Sequence, residues 1–239
     1  MAKPEEKTTK SASRRPIQDL REWLERVAAL GDLIQVKEAV SCEEEMSAIS
    51  YLVAKQKPSP AIIFDNFKGY EKSPYKARSL WNILGPSMPR IALTLEEPPD
   101  TPIVELIRRV KDKLKHRTLP REVPASEAGF YQNTLTGDQI DLTQLPIPKH
   151  WPLDGGHYAG TADCVITRDP DSGYLNVGTY RMMIQGKKEA GLYLSPGKDA
   201  RLHITRSWQM GKPVEVAAAW GIDPLFMLVG SQTFPKNVS

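Results

Sequence analysis

Residues 19–31, DLREWLERVAALG, place Leu20, Trp23, Leu24, Val27 and Leu30 three or four positions apart. That spacing lines up one face of a helix, and Gly31 is placed to end it. LIQVKEAV (33–40) reads as extended, and Ser41 with Glu44 forms a capping-box pattern ahead of EEMSAISYLVAKQ. AIIFDNF (61–67) reads as a short buried strand, and SLWNILG carries apolar residues up to Gly85. Pro102 predicts a helix start, with Ile103, Leu106, Ile107, Val110 and Leu114 as its buried stripe.

The pattern changes after residue 117. RTLPREVPASEAG (117–129) is proline-rich and has no apolar period, which predicts a boundary near 118–126. Beyond it the chain reads mostly as β. A proline- and glycine-punctuated loop, LTQLPIPKHWPLDGGHYAG (142–160), leads into GTADCVITR, which meets YLNVGTYRMMIQG across the turn DPDSG as a hairpin. AGLYLS reads as a strand, DARLHITRSWQMGK as a helix, PVEVAAAWG as a strand, and IDPLFMLVG as a buried segment. The expected class is α+β: a tail over 1–16, an α/β unit over 17–122 and a β-rich unit over 123–239.

Composition narrows the function classes without selecting one. At 239 residues, 40% hydrophobic and 26% charged, the chain is long enough to bury a real core. A net charge of +3 and interspersed signs do not indicate a nucleic-acid partner. RRVKDKLKHR (108–117) reads as a solvated helix end, where cations complement the dipole. No stretch of eighteen apolar residues occurs, and MAKPEEKTTKSASRRP is polar with no apolar core, unlike a secretory signal. Cys42 and Cys164 lie far apart, which excludes a CxxC metal site and fits a reducing cytoplasm; Cys164 reads as core.

The common catalytic signatures are missing. His116 and His203 fall at exposed phases of helical segments, His150 and His157 fall in the loop, and no HExxH spacing links them. There is no GxGxxG after a strand, no Walker A and no GxSxG elbow. What stands out is residues 176–203, where an asparagine, an arginine and a Ser-Pro-Gly-Lys-Asp turn interrupt apolar strand sequence. In strand geometry Asn176, Gly178 and Tyr180 point one way, and Val177, Thr179 and Arg181 the other. Gly178 suits close approach by a backbone or a ligand. The turn then feeds a helix whose first N–H groups are unsatisfied, an anion site. An amide, a guanidinium, a lysine and a helix N-terminus suit a phosphate, with or without a bridging metal. A salt-bridged hairpin is the equal alternative.

Several ordered motifs carry a resemblance: DGG (154–156), the hairpin VITRDPDSGYLNVGTYRMMI, the turn SPGKDARLH, and GIDPLFMLVGSQTFP. Together they resemble the UbiD family of reversible decarboxylases, and DLREWLERVAALGDLIQVKEAV and AIIFDNFKGY are similar to that family's opening. The likeness covers roughly residues 17–239. It implies prenylated FMN on a split β-barrel, its phosphate tied to a divalent metal, usually manganese, with potassium nearby. By this resemblance Asn176 is a metal ligand and Arg181 is the arginine of a catalytic Glu-Arg-Glu network. Thr179, Tyr180 and Lys198 border the cofactor, and Ser231 and Gln232 lie beside the flavin and the potassium. Asp199 stands where many members carry a metal-binding histidine, a departure that keeps a hard oxygen donor.

The same resemblance places a third metal ligand, the two network glutamates and a C-terminal domain after the FPKNVS stretch. The expected identity is therefore the front half of a carboxy-lyase acting on aromatic, heteroaromatic or α,β-unsaturated acids, inactive alone. A flavin prenyltransferase supplies its cofactor, and the full-length protein is a homo-oligomer. The alternatives are a non-catalytic flavin-binding subunit or remnant, and a flavin-reductase-like split barrel binding ordinary FMN.

Overall fold

The computed structural model describes residues 16–116, 118 and 120–232. The expected tail, apart from Pro16, and the segment from Thr233 through FPKNVS lie outside the described residues.

Helix α1 (Leu20–Ala29) begins at Asp19, whose carboxylate accepts the Glu22 N–H at 2.9 Å, and buries Trp23 and Val27. Gly31, at a φ of +70°, turns the chain into β1 (Leu33–Val36). After helix α2 (Glu45–Ala54), strand β2 (Ala61–Phe64) pairs parallel with β1, and β3 (Ser79–Trp81) pairs antiparallel with β2. β2 is the centre of this sheet and is buried at all four positions, as a continuous apolar run demands. Val40, Met46, Ile62, Phe64 and Phe67 fill one side of the core; Trp23, Val27, Ala61 and Leu93 fill the other. Helix α3 (Met88–Thr94) is capped by Ser87, and helix α4 (Ile103–Lys113) follows.

The expected capping box is displaced by one residue. Glu45, not Glu44, reaches back to the Ser41 N–H at 2.6 Å, while Glu44 takes a left-handed conformation and caps nothing with its side chain. The apolar stripe expected to be buried on α4 is also overturned. Leu106 is buried, but Ile103, Ile107 and Leu114 are each more than half exposed.

Residues 120–124 take no regular structure. The loop after residue 142 is anchored to the first half. Lys149 and Cys42–Glu44 exchange backbone bonds of 2.9 and 3.1 Å, and the His157 ring spans Glu43 (2.9 Å) and the Ile147 carbonyl (2.6 Å).

The second half holds two three-stranded sheets. One is ordered β4 (Tyr158–Ala159), β7 (Met182–Ile184), β8 (Ala190–Leu192); the other is ordered β6 (Leu175–Gly178), β5 (Cys164–Arg168), β9 (Val216–Ala219). Both are antiparallel. The expected hairpin is β5–β6, its turn tied by Asp169, which accepts the N–H groups of Asp171 and Ser172. The single strand expected over 174–186 is two strands, β6 and β7, in different sheets, so side-chain alternation does not run through Thr179–Arg181. No closed barrel is formed by the described residues. Helix α5 (Asp199–Gln209) packs on β5 and β6. The segment expected to be simply buried, IDPLFMLVG, is helix α6 (Pro224–Gly230), whose Phe226 and Val229 are 40% exposed.

Candidate functional site

Asn176 on β6 is the register partner of Thr167 on β5, so their side chains share one face of the sheet. Both are buried beneath α5. His203 of that helix stands 3.0 Å from the Thr167 hydroxyl through Nδ1 and 3.9 Å from Asp169 through Nε2. It is 5% exposed, which corrects the expectation of an exposed phase: α5 turns this position onto the sheet. Tyr174, two residues before Asn176 and therefore on the same face, meets the His203 ring edge-on at 6.3 Å. Asp199 opens α5 one turn before His203. Burial and the nearby Asp199 charge both push the Tyr174 hydroxyl pKa up.

Asn176 is poorly satisfied for a buried amide. Its Nδ2 donates to the Tyr180 hydroxyl at 3.5 Å, the long limit of a hydrogen bond. The Tyr180 ring folds back over Gly178, where a Cβ would lie 2.5 Å from Cε2. The close approach anticipated at Gly178 is thus made by the chain's own tyrosine. Thr179 is half-buried between the two sheets.

Arg181 is exposed rather than buried, its guanidinium carbon 6.0 Å from the Tyr193 ring centroid. It makes no ion pair among the described residues, so the salt-bridged-hairpin alternative is not what forms. Lys198 is the exposed N-cap of α5 and supplies no side-chain cap. Leu202 is the first residue whose N–H reaches back into the helix, to the Lys198 carbonyl, which leaves the N–H groups ahead of it open. Ser231 and Gln232 are exposed after α6, and their hydrogen bonds close on the helix end and on each other, not on Asn176, Arg181 or Asp199. α6 itself is close to the site's strands: a Cβ on Gly230 would be 3.1 Å from Cys164 Sγ and 3.4 Å from Val177.

Sequence reasoning missed three members of this neighbourhood. Thr167 and His203 needed the helix-on-sheet register, which no local pattern contains. Asp163, just before β5, is wholly buried with neither carboxylate oxygen hydrogen-bonded among the described residues. Burial pushes its pKa up to about 6; the nearby Asp163 and Tyr180 backbone N–H groups, outside hydrogen-bond geometry, offset only part of this. It also adds to the burial that lifts Cys164 to about 11, leaving that thiol protonated and inert. A polar residue opening an apolar strand was the available signal.

The residues fit the groups that the resemblance implies. The Asn176 amide oxygen and the Asp199 carboxylate are hard donors suited to a divalent cation, and the open end of α5 with Lys198 suits a phosphate. No three His, Cys, Asp or Glu side chains converge among the described residues.

Residues 24–110 match the 3-octaprenyl-4-hydroxybenzoate carboxy-lyase N-terminal domain, and residues 121–239 match the Rift-related domain of the same enzyme family. A phenolic acid decarboxylase of Escherichia coli O157:H7 is 33% identical over 219 residues, which are 89% of this chain and 45% of that protein. The closed form of vanillic acid decarboxylase from Sedimentibacter hydroxybenzoicus superposes with a TM-score of 0.81 at 28% identity, over 91% of this chain and 45% of that one. An evolved dimeric form of the UbiD-class enzyme HmfF from Pelotomaculum thermopropionicum, in complex with prFMN, gives 0.74 at 25% identity, over 87% and 45%. The chain spans under half the length of these relatives. No helix among the described residues is long and apolar enough to cross a membrane. With both domain models matched in order along the chain, the chain belongs to the UbiD family of carboxy-lyases.

Proposed function

We propose that this chain is the cofactor-holding portion of a reversible, prenylated-FMN-dependent decarboxylase of aromatic or α,β-unsaturated carboxylic acids. The observation that carries this reading is a juxtaposition: an under-satisfied buried amide, Asn176, on the sheet face covered by a helix whose N-terminus is uncapped. When bound, prenylated FMN delocalises the electron pair left behind as the carboxylate departs, which no side chain does well. Asn176 and Asp199 would hold a divalent metal, Mn2+ by resemblance, and Lys198 with the first N–H groups of α5 would neutralise the cofactor phosphate. Ser231 and Gln232 border the flavin and K+. Thr179 and Tyr180 form the strand-to-strand link that sets Asn176 and Arg181 apart at fixed spacing. Arg181, exposed and unpaired among the described residues, orients the substrate carboxylate through a charge-assisted, bidentate contact.

The β-rich unit over 123–239 is read as a portion of a split barrel, and 17–122 as the α/β unit in front of it. The proton that replaces carbon dioxide needs a positioned acid, typically worth about 10²–10⁴-fold. By the resemblance that acid is a network glutamate, which is assigned to polypeptide outside the described residues. The chain alone is then inactive, and the active protein is a homo-oligomer loaded by a flavin prenyltransferase.

The test is mass spectrometry of the protein after co-expression with a flavin prenyltransferase. Prenylated FMN should be retained, and Asn176→Ala should lower its occupancy at unchanged folding; equal occupancy sinks the assignment. Turnover by the chain alone that is lost in Arg181→Ala would show the acid to lie within it. Retained flavin with no turnover in any assembly would favour a non-catalytic flavin-binding module.

A further inference from the structure

A carboxamide has two ends of nearly the same shape and opposite use. A hard cation takes the oxygen and gains nothing from the NH2 group, so an asparagine ligand needs a neighbour that decides which end meets the ion. At Asn176 the sheet does not decide it. Thr167, its partner across the register, has its hydroxyl engaged with His203 Nδ1 at 3.0 Å. Among the described residues the amide has one partner, the Tyr180 hydroxyl, and that bond is made through Nδ2. Oδ1 makes no hydrogen bond among these residues.

The local chain is shaped to deliver this hydroxyl. β6 ends at Gly178, and Tyr180 follows two residues later, half-buried with its ring folded back. Gly178 is buried, and its φ lies outside the left-handed region, so its backbone conformation does not require glycine. The ring does: a Cβ at 178 would stand 2.5, 2.8 and 2.8 Å from Tyr180 Cε2, Cζ and Oη, far inside contact distance. The glycine seats the ring, and the seated ring carries its hydroxyl back to the amide four residues earlier. Aromatic rings do cover glycines in sheets, but a phenylalanine covers one equally well. The hydroxyl on Asn176 is what covering leaves unexplained.

We propose that Tyr180 is the positioning residue of the cation site: by accepting the Asn176 Nδ2–H it fixes the carboxamide with Oδ1 free for the ion, and Gly178 seats its ring. The inference rests on the reading of Asn176 as a metal ligand and adds the group that orients it. The reverse arrangement, with the Tyr180 O–H donating to Oδ1, sets tyrosine and cation in competition for one oxygen. The two arrangements therefore predict effects of opposite sign.

Two measurements on the full chain test this, and neither is turnover. In a heteronuclear NMR spectrum the Asn176 side-chain amide is the signal that disappears in Asn176→Ala. It should shift in Tyr180→Phe, which keeps the ring and removes only the hydroxyl. Titration with Mn2+ alone, the free ion counted by electron paramagnetic resonance, should show binding roughly three- to tenfold weaker in Tyr180→Phe, the worth of one neutral hydrogen bond. Gly178→Ala should weaken it similarly, because its Cβ displaces the ring. Unchanged Mn2+ affinity in Tyr180→Phe beside a loss in Asn176→Ala would overturn the inference. Tighter binding in Tyr180→Phe would overturn it too, because the tyrosine would then be occupying the oxygen. An unmoved amide signal overturns it whatever the metal does. Mn2+ binding that is absent, or indifferent to Asn176→Ala, while the amide signal shifts, fails the metal reading alone and leaves Tyr180 as the group that orients the amide.

Discussion

The two halves of the molecule treat buried polar groups in opposite ways. In the first half, the Arg90 guanidinium is completely buried and almost fully served. It meets Asp32 at 2.8 Å and donates to the carbonyls of Leu84, Ser59 and Asn82 at 3.0, 3.0 and 3.2 Å. The Trp23 indole donates to Thr94, which donates in turn to the Arg90 carbonyl, both at 2.9 Å. The polar atoms left over there, the Ser47 and Ser50 hydroxyls, are neutral and small. In the second half the leftovers are a carboxylate, Asp163, and an amide with one long bond, Asn176. An unserved charge or amide costs far more than a hydroxyl. Satisfied networks of the first kind specify a fold, and unsatisfied ones of the second kind mark places where something else binds or where stability is given up.

The largest effect should come from breaking the served network. Arg90→Ala strands the Asp32 carboxylate and four carbonyls, those of Leu84, Ser59, Asn82 and Asp32 itself, and loss of one partner of a buried pair costs about 3–5 kcal/mol. Chemical denaturation followed by tryptophan fluorescence reads it. A loss near zero would erase the contrast between the halves.

The second effect has the opposite sign. Asp163 has a pKa of about 6 folded against 3.8 as an ordinary carboxyl, so the folded chain binds its proton more tightly. Its stabilising contribution is complete below pH 3.8 and fades as pH rises through about 6. Asp163→Asn should therefore gain stability over the original chain at neutral pH, by up to about 3 kcal/mol at 1.36 kcal/mol per pH unit. The gain should vanish when both proteins are measured near pH 4. A variant less stable at pH 7 would mean that the ionised carboxylate has a partner there.

A third measurement sharpens the picture within the site. His203→Phe leaves the buried Thr167 hydroxyl without its partner and should cost about 1–3 kcal/mol, whereas pairing it with Thr167→Val removes both members and should cost less than the two single changes summed. Flavin occupancy in the same variants separates structure from positioning. If the pair only holds α5 to the sheet, His203→Phe lowers stability and leaves flavin retention equal at equal folding.

How much was legible follows the range of the interactions. Trp23 and Val27, the all-buried run of β2 and the Asp169 turn are local patterns, and they fold as read. The break of one long strand at Thr179–Arg181 was not local: β6 pairs with β5 and β7 with β4 and β8, and that choice of partners is made far away in sequence. His203 was misassigned for the same reason, because the face α5 buries is set by the sheet beneath it. The Asn176, Arg181 and Asp199 assignments came from resemblance, and residue chemistry alone left a phosphate site and a salt-bridged hairpin level. Asp163 escaped notice because an acid before a strand is ordinary until its burial and neighbours are known.

The smallest expected effect tests the stripe on α4. Periodicity assigned Ile107 to the core together with Leu106, yet Leu106 is 3% exposed and Ile107 is 61% exposed. The apolar run on this helix is wider than the face that the rest of the chain covers, so adjacent residues of similar size have different surroundings. Leu106→Ala should cost about 2–5 kcal/mol through lost transfer energy and a residual cavity. Ile107→Ser should stay within about 0.5 kcal/mol, because isoleucine and serine have similar helix propensities and the position loses no packing. Equilibrium denaturation at two protein concentrations checks both. A loss of more than about 1 kcal/mol for Ile107→Ser, growing with protein concentration, would show that a second copy covers this face in solution, because binding stabilises by mass action.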